Sequence, residues 1–162
     1  MIRLIDMHID TQREITYMIM EYADGGTLYE KVKMGDVSRQ QIKKYFKDVC
    51  EALAYLHSQN IMHRDIKVLF PLTQPENVLL TKNDEAKLCD FGFAALLGER
   101  KTLCGTYEYM SPEMIQGRPY DYKIDIWAVG ILLFELISGN APFRGDKPEE
   151  VLERMKTKIF FC

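Results

Sequence analysis

The sequence predicts an α+β domain that is mainly helical, with a few short strands on its N-terminal side. One long segment repeats apolar residues at helical spacing, and a second is apolar nearly all round. Two short N-terminal runs are rich in β-branched, aromatic and other apolar residues. The chain has 162 residues, of which 47% are hydrophobic and 28% charged. That length and composition suit a single globular domain.

The N-terminal segment has the pattern of two strands followed by a short helix. Residues 2–7 and 16–22 are predicted as strands joined by a polar turn. The Asp-Gly-Gly sequence at 24–26 interrupts that pattern, because these residues favour turns. Residues 27–33 are then predicted as a short helix.

Two longer helices are predicted further along the chain. Ser38 and Gln41 form a capping box that opens a helix running to about Ser58. Its apolar face repeats at helical spacing and consists of Ile42, Phe46, Val49, Leu53 and Leu56. A second helix, from Asp121 to Ser138, is apolar nearly all round and ends before Gly139. We expect this second helix to lie at the centre of the domain.

The remaining segments give weaker patterns. Short strands are predicted around 77–80 and 86–89, and residues 90–113 show no sustained period and are predicted as a long loop. Asp146, with Glu149 three residues later, is predicted to cap a last helix that runs to about Lys156.

Composition argues against several classes of protein. The net charge of −3 and the absence of a basic run predict neither nucleic-acid nor membrane-surface binding. No apolar stretch is long enough to span a bilayer, and residues 1–10 lack the pattern of a secretory signal. The cysteines have neither metal-ligand nor disulfide spacing: Cys50, Cys89, Cys104 and Cys162. We therefore expect reduced thiols and a cytoplasmic or nuclear protein.

Several short motifs occur in a fixed order, and together they carry the functional prediction. They are His63-Arg64-Asp65, Lys67, Asn77, Asp90-Phe91-Gly92 and Ser111-Pro112-Glu113, followed by Asp125-Ile126-Trp127 and Gly130. This series resembles the signature of eukaryotic protein kinases and covers essentially the whole chain. The resemblance implies a protein-kinase-like fold. Residues 1–23 would be the last strands and hinge of the small lobe, and residues 24–162 a large lobe that stops before its last helices.

The resemblance also implies the chemistry. Asp65 would accept the proton of a substrate hydroxyl, and Lys67 would lie beside the transferring phosphoryl group, as in the serine/threonine class. Asn77 and Asp90 would hold two magnesium ions through oxygen ligands. The implied cofactors are ATP and Mg²⁺, and the implied partner is a protein substrate.

The nucleotide-binding side is implied by residues near the hinge. The Glu21 carbonyl and the Ala23 amide would meet the edge of the adenine, and Leu79 would pack beneath it. Thr27 occupies the place where related kinases often carry a ribose-binding acid. A ribose contact at Thr27 therefore departs from the usual chemistry.

A regulatory segment is implied as well. Thr102 aligns with the usual phosphorylation site of an activation loop, and Arg64 would pair with its phosphate. Thr106 resembles the threonine that bonds the catalytic aspartate and lysine. Asp125 resembles the central-helix aspartate that fixes the backbone around His63 and Arg64. An activating kinase or other regulator is thus a further expected partner.

The subfamily resemblance is Aurora-like. It rests on residues 102–106, on the sequence at 112–115 and on the Asp-x-Lys-x-Asp pattern at 121–125. The calmodulin-dependent and cyclic-nucleotide-dependent groups remain open as alternatives.

The chain also departs from the family pattern. It contains no Gly-x-Gly-x-x-Gly, and residues 1–20 contain no lysine to hold the ATP phosphates. Asn77 lies twelve positions after Asp65, whereas the family motif is H-R-D-x-x-x-x-N. The surplus, residues 68–74, is either a true insert or a retained short intron, since valine codons begin with GT and a glutamine codon can end in AG.

These departures have a functional consequence. We expect this chain to be weakly active or inactive alone. The alternative function is that of a non-catalytic kinase-like fragment, which would bind partners or compete for substrates.

Overall fold

The computed structural model describes residues 1–35, 37–67, 77–104 and 106–157. The predicted insert at 68–74 lies outside these residues. Within them, helices form most of the regular structure and the strands pair into small two-stranded antiparallel sheets. The predicted α+β class is confirmed.

The chain begins with a β-hairpin. Strand β1 (Leu4–Asp10) pairs antiparallel with β2 (Ile15–Met20). The Asp10 carboxylate accepts hydrogen bonds from the Gln12 and Arg13 N–H groups, both at 3.0 Å, and so forms the turn. The predicted bounds were wrong by one to three residues, because the strands continue up to this side-chain-stabilised turn.

Two capped helices follow, as predicted. Helix α1 (Leu28–Lys33) begins after Thr27, whose hydroxyl accepts a hydrogen bond from the Glu30 N–H while the Glu30 carboxylate accepts one from the Thr27 N–H, each at 3.1 Å. Helix α2 (Arg39–Ser58) opens with the capping box predicted at Ser38. Such reciprocal bonds satisfy N–H groups that a helix cannot pair internally.

Helix α2 buries one face, and most of the predicted apolar positions lie on it. Val49, Leu53 and Leu56 are buried in the main core, and Ile42 and Phe46 pack against it half-buried. The helical period therefore located the buried face correctly.

Four short strands frame the segment between the long helices. Strand β3 (Ile61–Met62) pairs with β6 (Ala95–Leu96), and β4 (Val78–Leu80) pairs with β5 (Ala86–Leu88). The predictions for β4 and β5 are confirmed to within one residue. Strands β3 and β6 were missed because two residues are too few to show a period.

The stretch predicted as a long loop, residues 90–113, contains regular structure. Besides β6 it holds a 3₁₀ turn at Tyr107–Tyr109 and the start of helix α3 (Pro112–Ile115). The predicted long ordered loop thus contains short elements that the sequence did not indicate, since elements this short depend on distant contacts rather than on local pattern.

Helix α4 (Lys123–Ser138) packs against α2 and supplies much of the core. It ends at Gly139, which adopts a left-handed φ of 75° as the C-cap. It begins two residues later than predicted, because the Asp121 carboxylate accepts a hydrogen bond from the Lys123 N–H and belongs to the preceding turn. No helix in the described ranges has both the length and the apolar character needed to cross a membrane.

The last described element is helix α5 (Pro148–Thr157). The predicted capping box of Asp146 and Glu149 is wrong. The Asp146 N–H donates instead to the carboxylate of Glu150, at 3.2 Å. Because Pro148 occupies the first helical position, the helix begins later than the sequence suggested, and the carboxylate within reach is one residue further along.

Candidate active site

One carboxylate of α4 holds the loop that follows β3. Asp125 is 1% exposed, and its oxygens accept hydrogen bonds from the His63 N–H at 2.9 Å and the Arg64 N–H at 2.8 Å. The His57 ring lies 2.9 Å from the same carboxylate. These bonds support the left-handed backbone of Arg64, φ 71°, and confirm the predicted role of Asp125.

His63 joins this loop to the end of β5. Its ring is fully buried, with Nε2 3.0 Å from the Cys89 carbonyl oxygen and an edge contact to the Phe91 ring at 5.1 Å between centroids. Burial lowers the pKa of His63, so the ring is neutral near pH 7 and Nε2–H can donate to that carbonyl. The His63 ring therefore links the loop after β3 to the segment that follows β5.

Three of the predicted catalytic residues form one buried cluster. The Lys67 ammonium lies 3.1 Å from Asp65 Oδ2, and the Asn77 amide nitrogen donates to the same oxygen at 2.8 Å. That nitrogen also donates to the Asp65 main-chain carbonyl at 2.6 Å. All three residues are buried, so these charges interact with little screening by water.

The longer spacing in the sequence does not keep Asn77 from this cluster. Its own N–H lies 3.4 Å from the Lys67 carbonyl oxygen, and its carbonyl accepts a hydrogen bond from the Cys89 N–H at 2.9 Å. Lys67 and Asn77, which flank the surplus residues, are therefore neighbours.

The side-chain oxygen of Asn77 fits a metal ligand. Oδ1 is buried and has no hydrogen-bond partner among the described residues. Leaving a buried acceptor unpaired costs folding free energy. Coordination to a hard cation such as Mg²⁺ would satisfy this oxygen. Asp90 is exposed, with a left-handed φ of 58°, and Oδ1 of its carboxylate accepts the Gly92 N–H at 3.1 Å. The donor types at Asn77 and Asp90 fit magnesium.

The described residues contain no group of three or more His, Cys, Asp or Glu side chains arranged to hold a metal. Magnesium commonly takes one or two protein ligands and completes its shell with water and substrate phosphates. The sparse set of protein ligands is compatible with that kind of site.

The hinge residues leave the hairpin beside β5. The Glu21 N–H donates to the Arg3 carbonyl at 2.8 Å, and its carboxylate pairs with the Lys87 ammonium at 2.9 Å. This hydrogen bond from Lys87 lowers the pKa of Glu21. Ala23 is half-buried just beyond.

The chain then passes close to β4. A Cβ on Gly25 would lie 2.6 Å from the Thr81 carbonyl oxygen, so only glycine allows this approach. Leu79 is half-buried and pairs through its backbone with Thr27. The Thr27 hydroxyl accepts the Glu30 N–H. The structure brings Thr27 and Leu79 together, and their nucleotide contacts stay predictions.

The predicted regulatory residues lie on the other side of Asp65. The Arg64 side chain donates to the Phe93 carbonyl at 2.5 Å and to the Tyr120 hydroxyl at 3.2 Å, and that hydroxyl donates to the Thr102 carbonyl at 2.7 Å. Sequence reasoning missed Tyr120, because nothing in its spacing marks it. Thr102 itself is exposed.

Thr106 lies in the same region but makes no predicted bond. It lines a small cavity together with Arg64, Asp65 and Asp125. Its hydroxyl is buried without a hydrogen-bond partner in the described part of the chain. The bond predicted from Thr106 to Asp65 and Lys67 is therefore absent.

Comparison with known proteins shows the family of the chain. The profile of the protein kinase domain matches residues 1–161, and the chain belongs to that family. Among its relatives, the chain is 42% identical over 148 residues to Aurora kinase A-B of Xenopus laevis, covering 90% of this chain and 34% of that protein. It is 40% identical over 163 residues to Aurora kinase A-A of Xenopus laevis, covering 99% and 38%.

A third relative, Aurora kinase C of Mus musculus, is 36% identical over 162 residues, covering 98% of this chain and 55% of that protein. The chain thus spans about a third to just over half the length of these relatives. The Aurora-like resemblance inferred from the motifs is confirmed.

Proposed function

We propose that this chain carries the large-lobe catalytic site of a serine/threonine protein kinase, which transfers the γ-phosphate of ATP to hydroxyls of a protein substrate. The observation that carries the proposal is the cluster around Asp65. Its carboxylate is held by Lys67 and Asn77, while Asn77 keeps one buried oxygen unpaired. A Mg²⁺ ion would give that buried acceptor a partner.

Each residue has a distinct task in this proposal. Asp65 accepts the proton of the attacking hydroxyl, and the Lys67 ammonium stabilises negative charge on the phosphoryl group. Asn77 and Asp90 supply oxygen ligands for Mg²⁺. When bound, Mg²⁺ would neutralise charge on the ATP phosphates. Burial of Asp65 and Lys67 strengthens their electrostatic effect.

The adenine would lie at the end of the hairpin. In this proposal the backbone of Glu21 and Ala23 pairs with the adenine edge, Leu79 packs beneath the ring and Thr27 lies near the ribose. The close passage of Gly25 along β4 supports this arrangement, because it holds the hinge residues and Leu79 in one region.

The domain division follows the same reasoning. Residues 1–23 are proposed as the end of a small lobe and the hinge, and residues 24–162 as an incomplete large lobe. Since residues 1–162 contain no glycine-rich loop, we expect this chain alone to bind ATP weakly and transfer phosphate slowly.

Partners and location are proposed on the same basis. The partners are a protein substrate and an activating kinase or regulator that acts at Thr102, with Arg64 and Thr106 beside it. We place the protein in the cytoplasm or nucleus. Cys50 and Cys104 carry thiols rather than a disulfide, which supports a reducing compartment.

Phosphate transfer from labelled ATP to a general protein substrate, with magnesium, tests the proposal. Asp65→Asn should lower the rate about 100-fold or more, because the asparagine cannot accept the proton. Asp121→Asn, an exposed acid outside the site, is the matched control and should leave the rate unchanged. Equal rates for the Asp65→Asn variant and the unmodified chain would contradict the proposed mechanism.

The second candidate, a non-catalytic binding or competing module, is favoured by one observation. The β1–β2 hairpin exposes apolar residues on a two-stranded sheet, which suits contact with another surface. If the unmodified chain and the Asp65→Asn variant are both folded and neither transfers phosphate, this candidate is favoured.

A further inference from the structure

We propose that Tyr120 is a positioning residue that joins the segment around Thr102 to Arg64 before Thr102 is modified. The inference rests on the proposed function only for the regulatory meaning of Thr102. Its structural content is independent of ATP and of phosphate transfer.

The Tyr120 hydroxyl is the point of contact. It donates to the Thr102 carbonyl at 2.7 Å and accepts from Arg64 Nη1 at 3.2 Å. Burial raises the pKa of Tyr120, so the hydroxyl keeps its proton near pH 7 and remains a donor. One hydroxyl thus links two segments that are 38 residues apart in the chain.

The rest of Tyr120 holds the same segment. Its N–H donates to the Arg100 carbonyl at 3.0 Å, and its carbonyl accepts from the Arg100 N–H at 3.1 Å. The residue is 4% exposed and packs in a second apolar cluster whose other buried members are Cys104, Met110, Met114 and Ile124. The Cys104 thiol also interacts with the hydroxyl. Tyr120 therefore anchors residues 100–104 by main chain, ring and hydroxyl.

The link continues to the catalytic loop. Arg64 is fixed at its N–H by Asp125 and at Nε by the Phe93 carbonyl, and it directly precedes Asp65. A guanidinium has five N–H donors, and Nη2 of Arg64 has no hydrogen-bond partner among the residues that the structure describes. Arg64 can therefore hold Tyr120 and still bind an anionic group.

This arrangement gives Tyr120 a physical role. Tyr120 holds the Thr102 backbone beside Arg64. The segment therefore loses less conformational entropy when a phosphate on Thr102 binds Arg64. The phosphate would then add charge-assisted hydrogen bonds to a segment that is already in place.

Hydrogen exchange of the whole chain, without nucleotide, tests the inference. In the Tyr120→Phe variant, which loses only the hydroxyl, the amides of Arg100 and residue 120 should exchange on the order of tenfold faster, the size expected from losing one or two hydrogen bonds. Tyr122→Phe is the matched control, because its hydroxyl has no hydrogen bond among the described residues. The α4 amides report global unfolding and should not change.

Two results would overturn the inference. One is unchanged exchange at Arg100 and residue 120 in the Tyr120→Phe variant, and the other is faster exchange that is equal in α4. If that variant does not fold, Arg64→Lys serves as the second test, since lysine keeps the charge but lacks the guanidinium fork. It should give the same local increase. Because no phosphate transfer is measured, failure of this inference is distinguishable from failure of the proposed function.

Discussion

The N-terminal hairpin and the α2–α4 pair differ in the burial of their apolar side chains. In the hairpin, the large apolar side chains are exposed: Leu4, Ile5, Met7, Ile9, Ile15, Tyr17, Met18, Ile19 and Met20. In α2 and α4, residues of the same kind are buried in one continuous core. Burial of apolar surface is the main stabilising term in folding. We therefore expect the helical part to hold most of the stability.

The difference matters because the candidate site spans both regions. Asp125 of α4 accepts the N–H groups of His63 and Arg64, which directly precede Asp65, and Asn77 donates to Asp65. Glu21 and Ala23 lie at the end of the hairpin, and an isolated two-stranded hairpin is marginal in water. In the proposed function, the phosphate side of the site would thus be built on the helical region and the adenine side on the hairpin. The predictions below test this contrast.

The largest expected effect is on the buried core. Leu132→Ala should lower the free energy of unfolding by about 2–5 kcal/mol, because Leu132 is fully buried in α4 and truncation leaves a cavity. Ile19→Ala, at a hairpin residue that is 52% exposed, should change it by less than about 0.5 kcal/mol. Urea unfolding measures both. Equal losses would show that the hairpin is as well packed as the helices.

A smaller effect is expected at the support of the catalytic loop. Asp125→Asn should cost about 1.5–3 kcal/mol, since the amide offers only one acceptor atom to the N–H groups of His63 and Arg64. Asp121→Asn is the control, and urea unfolding is again the measurement. An Asp125→Asn variant as stable as its control would mean that these hydrogen bonds do not hold the loop.

The smallest effect is a pH dependence at the β4–β5 turn. Asp84 accepts hydrogen bonds from the Lys31 ammonium and from the Tyr45 hydroxyl at 2.5 Å, and these partners, Lys31 first, lower the pKa of Asp84 to about 2. A carboxyl with a lowered pKa stabilises the fold above its ordinary value, 3.8, and loses that contribution as the pH falls towards 2. The side chain is 32% exposed, so we expect less than about 1 kcal/mol.

Urea midpoints between pH 5 and about pH 2 check this prediction. Asp84→Asn should remove the part of the acid loss that occurs below about pH 4. The Asp24→Asn variant, at an acid whose carboxylate accepts the Lys82 N–H at 2.8 Å, is the comparison. The same acid profile in the Asp84→Asn variant and the unmodified chain would contradict the prediction.

Much of the fold could be predicted because its signals are local. The capping box at Ser38 and the stop at Gly139 are short-range features that the structure retains. The residues of the Asp65 cluster could be named from motifs alone. Their mutual contacts could not be predicted, since Asn77 lies twelve positions after Asp65, beyond the spacing of the family motif.

Other features depend on contacts between distant segments. Strands β3 and β6 exist only through their pairing with each other. The contact between Tyr120 and Thr102 joins residues 18 positions apart, and no periodicity marks it.

The central claim is that Asn77 and Asp90 form a magnesium-dependent nucleotide site on the stable helical part of the chain. Calorimetry of ATP binding, with and without magnesium, tests it most directly. We predict weak binding that requires magnesium and is lost in the Asp90→Asn variant but kept in the Asp121→Asn variant. A folded chain that binds no ATP, or an Asp90→Asn variant that binds as well as the unmodified chain, would contradict the claim.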